Sequence, residues 1–140
     1  MSDFVLNFDG SCYPNPNGLA ACGYVIKKDG VVISKQARKI GTGPYSNNYG
    51  EFYGAFLGMT EIAQLAQPKD RIFVRGDSQL AIKVLNKSFR PKPESLYFTA
   101  YELAAQALSD LRRMGCVVML DWIPRELNKE ADELSKYDRK

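Results

Sequence analysis

The chain has 140 residues, 45% of them hydrophobic, which is enough for one domain spanning residues 1–140 and too few for two domains of ordinary size. Its net charge of +3 permits nucleic-acid binding without demonstrating it, and its lack of histidine removes the commonest general base and the usual nitrogen ligand of metals. No apolar stretch approaches the roughly 18 residues that span a bilayer, and no secretion signal opens the chain, so we expect a soluble, cytoplasmic monomer.

The first third of the chain predicts three antiparallel strands. The apolar run 4–8 is typical of a strand, and a loop rich in glycine, proline and asparagine follows it. Two further apolar runs, 22–26 and 31–33, are separated by Asp29 and Gly30, which favour a tight hairpin turn because both tolerate positive φ. We expect an antiparallel meander in which Asp9 lies near the end of the first strand.

The middle of the chain predicts a long helix with an acid near its start. Apolar residues recur at spacings of three and four from about Asn48 to Gln67. Glu51 lies in the first turns, on a stripe that continues through the small residues Ala55 and Gly58. Small residues let a helix lie close to a sheet, so we expect Glu51 to lie over the strand ends.

The second half predicts two more strands and three helices. One strand, over residues 71–75, ends at Gly76 and Asp77, and another covers residues 117–123. Helices are expected over residues 78–86, 94–114 and from 128 onward, with Asn128 as the N-cap of the last. The order βββαβααβα predicts a mixed α/β fold without internal repeats.

Four acids fall at the ends of predicted elements: Asp9, Glu51, Asp77 and Asp132. Taken singly, each is explained as a turn former, a helix cap or a first-turn acid that interacts with the helix dipole. Taken together, carboxylates on converging element ends suit Mg²⁺, which prefers oxygen ligands and keeps several waters. The three cysteines are odd in number and outside any C-x-x-C pattern, so they indicate neither a disulfide framework nor a zinc site. The pattern predicts a metal-dependent phosphodiesterase.

The surroundings of these acids form five ordered motifs: Asp9-Gly10-Ser11-Cys12, Asn15-Pro16, Asn47-Asn48-Tyr49-Gly50-Glu51, Asp77-Ser78-Gln79 and Asn128-Lys129-Glu130-Ala131-Asp132-Glu133-Leu134. Together they resemble type 1 ribonuclease H over nearly the whole chain, in a compact form without a long basic handle. The resemblance implies an α/β, RNase H-like fold. Its five-stranded mixed sheet has three antiparallel strands followed by two parallel ones, with helices on both faces.

The resemblance also implies a function. It implies an endonuclease that hydrolyses the RNA strand of RNA/DNA hybrids by a two-metal-ion mechanism, giving 5′-phosphate and 3′-hydroxyl ends. The catalytic and metal-binding residues it implies are Asp9, Glu51, Asp77 and Asp132, with Mg²⁺ as cofactor and Mn²⁺ as the alternative.

The substrate contacts implied by the resemblance are amides in the minor groove and a hydroxyl on a phosphate of the DNA strand. The amides are those of Asn15, Asn47, Asn48 and Gln79, and the hydroxyl is that of Ser46. Amides can both donate and accept hydrogen bonds to 2′-hydroxyls and base edges. Their ordinary alternative is turn and cap chemistry, and Asn48 is a candidate for both roles.

The chain departs from the family in two places. Many members carry a histidine in the loop before the last helix, where this chain has Pro124-Arg125-Glu126-Leu127, so Arg125 or Glu126 is the candidate substitute and Arg125 a candidate substrate contact. The basic handle of some members is reduced to Lys83, Lys87, Arg90 and Lys92, which predicts weak, salt-sensitive binding or simply a solvated loop. We expect Trp122 to pack in the sheet rather than to stack on a base.

Two other functions stay open. The missing histidine gives some weight to a catalytically weak or inactive nucleic-acid-binding module, and the same acids occur in nucleases and transposase-like proteins that act on DNA. The presence of all four acids argues against the first alternative, and the amides suited to 2′-hydroxyls argue against the second. Cleavage of a hybrid but not of duplex DNA would separate these functions.

Overall fold

A computed structural model of the chain describes residues 1–87 and 90–136, and within these ranges it has five strands and four α-helices. The strands are β1 (Asp3–Tyr13), β2 (Leu19–Lys28), β3 (Val31–Thr42), β4 (Arg71–Gly76) and β5 (Val117–Trp122). The helices are α1 (Asn47–Ala63), α2 (Gln79–Leu85), α3 (Phe98–Arg113) and α4 (Lys129–Ser135), with a 3₁₀ turn at Arg125–Leu127. The predicted order of elements is confirmed.

The strands form one mixed sheet in the order β3-β2-β1-β4-β5. The three strands β1, β2 and β3 pair antiparallel, whereas β4 pairs parallel with both β1 and β5, as predicted. The last pair between β1 and β4 joins Phe8 to Gly76, so Asp9 and Asp77 are the residues that directly follow this pair on the two strands. Parallel strands end at the same edge of a sheet, and this register therefore brings the two acids together.

Helices cover both faces of the sheet. A Cβ at Gly58 of α1 would lie 2.7 Å from Leu6 Cδ2, and a Cβ at Gly23 of β2 would lie 2.6 Å from the backbone of Leu134, at the end of α4. Gly23 pairs with Asp9, and residues 6 and 9 of a strand point to opposite faces. Accordingly, α1 lies on one face and α4 on the other.

The main core lies between the sheet and helices α1 and α3. Phe4, Leu6 and Phe8 alternate along β1 and are fully buried against Phe52 of α1 and Leu111 of α3, among others. Glycines on α1 allow the close approach that the small-residue stripe predicts. Because α1 lies directly on β1, its first turns reach the end of that strand.

The ends of two helices differ from the predicted ones. Helix α1 ends at Ala63 rather than near Gln67, because the Asp70 carboxylate accepts the Gln67 N–H at 2.8 Å and draws the chain out of the helix. Helix α3 begins at Phe98 rather than Glu94, after turns closed by bonds from Ser95 N to Lys92 O and from Phe98 N to Ser95 O.

The predicted hairpin turn is confirmed, and the packing of Trp122 is not. Asp29 and Gly30 have φ values of 50° and 85°, the pair of positive angles that the turn requires. Trp122 is 46% exposed rather than packed in the sheet, because it lies at the tip of β5, where its indole N–H donates to Asp77 O at 3.1 Å.

The short basic segment follows α2 directly. Lys83 lies in the last turn of α2, and Lys87, Arg90 and Lys92 follow it, while positions 88–89 lie outside the described residues. None of the helices in the described part of the chain combines the length and apolarity needed to cross a membrane.

Candidate active site

Three of the four predicted acids converge where β1, α1 and β4 meet. Asp9 belongs to β1, Glu51 to α1, and Asp77 directly follows β4. One carboxylate oxygen from each lies within 4.8 Å of the others. Carboxylate oxygens grouped in this way are the ligands that hard divalent cations prefer.

The fourth acid, Asp132, reaches the same place from the opposite face of the sheet. Helix α4 is fastened to β1 because the Ser11 hydroxyl donates to Ser135 O at 2.5 Å and the Ser135 hydroxyl donates to Asp132 O at 2.7 Å. Asp132 lines the same cavity as Asp9, Glu51 and Asp77. Asp132 is therefore next to the three converging acids rather than within their set of close oxygens.

Glycine at position 10 controls how close Glu51 comes to β1. A Cβ there would lie 2.7 Å from Gly50 Cα and would also overlap the backbone nitrogen of Glu51. Neither backbone can yield without moving the start of α1. Gly10 thus allows the contact that carries Glu51 to Asp9.

Replacing Gly10 with alanine is expected to destabilise the protein by roughly 1–3 kcal/mol or more, because the added methyl group overlaps backbone atoms rather than a flexible side chain. Urea denaturation gives the free energy of unfolding. Gly43→Ala is the matched control, since its added Cβ would lie 3.4 Å from the Tyr45 ring, an ordinary contact. Equal effects of the two substitutions would contradict the role given to Gly10.

The acids line a cavity of about 710 Å³. Its polar lining residues include Asp9, Asn15, Asn47, Glu51, Asp77, Arg125, Asp132 and Lys136. Acidic, basic and amide side chains are thus combined in one open cavity. This composition suits a ligand that carries both phosphates and hydrogen-bonding groups.

Three of the acids have raised pKa values. Burial, together with repulsion from Asp9, raises the pKa of Glu51 well above its usual value, and burial raises the pKa of Asp9 to about 6. Burial also raises the pKa of Asp77. Among the described residues, Glu51 Oε2 and Asp77 Oδ2 are buried without any hydrogen-bond partner. A buried carboxylate oxygen needs a proton or a cation, so this donor set fits a divalent metal ion.

Asp132 behaves differently from the other three acids. Its Oδ1 lies 3.4 Å from Arg125 Nη2, and its Oδ2 lies 3.3 Å from Lys136 Nζ. Partial burial tends to raise the pKa of Asp132, but its interaction with Asp9, its hydrogen bond from Lys136 and the Arg125 charge together outweigh burial and lower that pKa. Lys136 was not predicted as a site residue, although the Asp–Lys spacing of four residues on a helix is a signal for such a pair.

Two of the predicted substrate amides line the cavity, and each is held in place by a backbone N–H that its side-chain oxygen accepts. Asn15 Oδ1 accepts the Asn47 N–H at 3.0 Å, and Asn47 Oδ1 accepts the Cys12 N–H at 2.6 Å. Within the described residues, neither Nδ2 group donates to another protein group. Their NH₂ groups therefore remain available as donors to a ligand.

Ser46, Asn48 and Gln79 are not among the residues that line this cavity. Ser46 is the N-cap of α1, where its hydroxyl accepts the Tyr49 N–H at 3.3 Å, so the prediction that Asn48 caps this helix is wrong. Asn48 is half-buried within α1, and Gln79 is the exposed first residue of α2. Their contacts with substrate stay predictions.

The two candidate substitutes for the missing histidine lie in different places. Arg125 lines the acidic cavity, whereas Glu126 lines a second cavity of about 650 Å³ on the face of the sheet that α4 covers. Of the two, Arg125 is the one placed to act at the acids.

Asn128 has a role that its sequence position did not indicate. It precedes α4 as predicted, but its side chain makes no capping hydrogen bond. It is buried, its Nδ2 donates to Phe8 O at 2.9 Å, and its amide lies beside the Asp77 carboxyl, where it tends to lower the pKa of that group. Contacts across 120 residues of sequence could not be inferred from a local cap pattern.

Comparison with known proteins identifies the family. The family model described as "Reverse transcriptase-like" matches residues 7–138. The N-terminal RNase H domain of a Mycobacterium tuberculosis protein, solved as a fusion with maltose-binding protein, is 25% identical, with a TM-score of 0.80 and coverage of 94% of this chain and 95% of that one. RNase H1 of the archaeon Halobacterium salinarum is 26% identical, with a TM-score of 0.78 and coverage of 94% and 93%.

A third solved structure supports the fold. LC11-RNase H1, solved in complex with an RNA/DNA hybrid, is 24% identical, with a TM-score of 0.76 and coverage of 94% of this chain and 92% of that one. The predicted resemblance is confirmed: the chain belongs to the reverse transcriptase-like family and has the fold of type 1 ribonuclease H.

Proposed function

We propose that this protein is an endonuclease that hydrolyses the RNA strand of RNA/DNA hybrids with Mg²⁺ as cofactor and Mn²⁺ as an alternative, leaving 5′-phosphate and 3′-hydroxyl ends. The observation that carries the proposal is the convergence of carboxylate oxygens from Asp9, Glu51 and Asp77 within 4.8 Å. In the described part of the chain, two of these residues have a buried oxygen without a hydrogen-bond partner, which a bound cation would provide.

The side chains of the cavity have complementary tasks in this proposal. Asp9, Glu51 and Asp77 would hold divalent cations, with Asp132 beside them. A pair of such cations lowers the pKa of the attacking water and neutralises charge on the leaving 3′ oxygen. The positively charged side chains of Arg125 and Lys136 would interact with the phosphates.

Recognition of the RNA strand is assigned to the two amides in the cavity. The NH₂ groups of Asn15 and Asn47 are suited to donate to 2′-hydroxyls, the groups that distinguish RNA from DNA. LC11-RNase H1 has this fold and was solved with a hybrid bound, which is consistent with the same class of ligand here. The short basic segment after α2 makes few phosphate contacts possible, so binding should be weak, and each phosphate contact that does form should add roughly 0.7–0.9 to its dependence on salt.

The test is cleavage of an end-labelled RNA/DNA hybrid in Mg²⁺ or Mn²⁺, beside duplex DNA and duplex RNA. Cleavage of the hybrid that requires the cation and leaves 3′-hydroxyl ends is the expected result. Binding of the hybrid without cleavage in either cation would favour the binding-module alternative. Equal cleavage of duplex DNA would favour a DNA-directed nuclease.

Replacing Lys136 with glutamine is expected to weaken hybrid binding by on the order of tenfold, because its ammonium group lines the cavity where a phosphate would lie. The slope of log K against log salt should also fall by roughly 0.7–0.9, the amount for one phosphate contact. Fluorescence anisotropy in an Asp77→Asn background, in which cleavage is blocked, measures both quantities.

Lys129→Gln is the matched control for this prediction. Lys129 belongs to the same helix but lines the second cavity rather than the acidic one. Its substitution should leave the salt slope nearly unchanged. The same loss of slope in both variants would mean that Lys136 acts only through net charge.

A further inference from the structure

The buried amide of Asn128 joins the two strands that carry Asp9 and Asp77. Only 1% of Asn128 is exposed. Its Nδ2 group donates at 2.9 Å to the carbonyl oxygen of Phe8, the residue before Asp9, and its amide also lies beside the Asp77 carboxyl, whose ionised form it favours. On the other side, its Oδ1 accepts a hydrogen bond from Asn7 Nδ2 at 3.1 Å.

These contacts require one of the two orientations of the amide. A 180° rotation about the last side-chain bond exchanges oxygen and nitrogen with almost no change in shape. In the observed orientation the NH₂ group of Asn128 faces two acceptors, Phe8 O and Asp77. The rotated amide would turn its oxygen toward both of those oxygens, which would repel it and leave them without a donor.

Asn7 supplies the donor that fixes this orientation. It is half-buried on β1 and lines the second cavity, not the acidic one. Among the described residues, Asn128 is the only side-chain hydrogen-bond partner of Asn7. Asn7 therefore does not touch the acids itself. Its side-chain NH₂ group acts on them through one intervening residue, Asn128.

We propose that Asn7 is a positioning residue for the metal site: its side-chain NH₂ group holds the Asn128 amide in the orientation that donates to Phe8 O, next to Asp9, and that faces the Asp77 carboxyl, so that both acids stay in place for a cation. This inference rests on the proposed function, because it assumes that Asp77 binds a metal. Residues that orient metal ligands from outside the ligand set typically contribute about tenfold to hundredfold to metal affinity or activity.

The decisive variant is Asn7→Asp, which keeps the shape of the side chain and replaces its donor with an acceptor. Simple electrostatics predicts tighter cation binding, since the new carboxylate lies on the same strand face as Asp9, two residues away. The positioning role predicts the opposite, because a carboxylate cannot donate to Asn128 Oδ1. The two explanations thus differ in sign.

The experiment measures Mn²⁺ binding by calorimetry without nucleic acid, and then kcat and KM on the hybrid. Asn7→Asp is expected to raise the Kd for Mn²⁺ by about tenfold to hundredfold and to lower kcat, with KM for the hybrid within about twofold. Asn7→Leu, which removes the donor without adding repulsion, should show a smaller change in the same direction. If Asn7→Asp does not fold, the Kd of Asn7→Leu for Mn²⁺ alone tests the proposal.

Asn86→Asp is the matched control, since Asn86 likewise donates through its side-chain amide, in its case to Leu120 O at 3.3 Å, but lies at the C-cap of α2. A double-mutant cycle adds the second test: in an Asn128→Ala background, Asn7→Leu should have no further effect. The proposal is overturned if Asn7→Asp binds Mn²⁺ as tightly as wild type or the control, or if the effect persists without Asn128. If the wild type neither binds the cation nor cuts the hybrid, the proposed function fails first and this inference falls with it.

Discussion

Asp77→Asn is expected to lower the rate of hybrid cleavage by on the order of a thousandfold, which corresponds to about 4 kcal/mol of transition-state stabilisation. Asparagine keeps the shape of the side chain but removes its charge, and an amide nitrogen would replace one of two oxygens. The buried Asp77 Oδ2 has no protein partner among the described residues, so no internal hydrogen bond is lost. The variant should therefore fold normally and lack one cation ligand.

Single-turnover cleavage of an end-labelled hybrid at saturating enzyme measures this effect without interference from binding. Hybrid affinity should change little, because Asp77 carries no positive charge for phosphates. Asp70→Asn is the matched control: Asp70 is equally an aspartate at a strand end, but its oxygens accept Ser2 N–H at 2.7 Å and Gln67 N–H at 2.8 Å. It should lower stability and leave the cleavage rate of the folded protein within about threefold. More than a tenth of wild-type activity in Asp77→Asn would remove Asp77 from the ligand set.

The parts of the fold that could be predicted are those fixed by local pattern. The hairpin at Asp29 and Gly30 needs only two residues that tolerate positive φ, and both adopt it. The apolar alternation of β1 and the glycines of α1 likewise carry their own information. Acids predicted next to two parallel strands likewise imply, by topology, that Asp9 and Asp77 meet, although β1 continues to Tyr13 instead of ending near Asp9 as predicted.

The parts that could not be predicted depend on contacts between distant residues. Helix α1 stops early because Asp70 takes the Gln67 N–H, which overrides a helical pattern that continues to Gln67. Trp122 is exposed because it is the last residue of β5, which is an edge strand of the sheet. The order of the strands, and not the composition of the segment, determines this position. Asn7 and Asn128 lie 121 residues apart, so no local pattern announces their hydrogen bond. Side-chain networks of this kind are set by the packed fold.

The candidate site also illustrates a general conflict between stability and function. Three acids are held close together with raised pKa values, and two of their buried oxygens have no hydrogen-bond partner among the residues that the structure describes. Such an arrangement destabilises the metal-free protein, because like charges repel and buried charges are poorly solvated. A bound divalent cation would remove both penalties, so its binding would be coupled to folding.

The metal-free protein is accordingly expected to lose stability as the pH rises from about 4 to above 6. The carboxyl of Asp9 has a pKa of about 6 in the folded protein against 3.8 for the free side chain, so the folded state binds more protons across this interval. Stability falls with pH wherever the folded state binds more protons, by about 1.4 kcal/mol per unit for each proton. Asp9 alone contributes a loss of up to about 3 kcal/mol, and Glu51 and Asp77 act in the same direction.

Acids with lowered pKa values change the stability in the opposite direction, and they do so in a different pH range. Asp132 and Asp70 stabilise the folded protein when ionised, and this contribution is lost as the pH falls through their lowered pKa values, below about 4. Stability between about pH 4 and 6 therefore reports chiefly on the acids with raised values. Thermal melts in chelator over about pH 4 to 8 measure the curve, and Asp9→Asn, which cannot ionise, should flatten it in that interval.

Mg²⁺ should reverse this loss, since protons and cations compete for the same carboxylates. Above about pH 6, saturating Mg²⁺ should raise the melting temperature by several degrees, and below about pH 5 its effect should fade because the acids are protonated. For each proton displaced, the apparent affinity for the cation should rise about tenfold per pH unit below the raised pKa. A melting temperature that rises with pH in chelator, or that ignores Mg²⁺ at neutral pH, would mean that the clustered acids are not a metal site. Hybrid cleavage would then require a different explanation from the one given by their geometry.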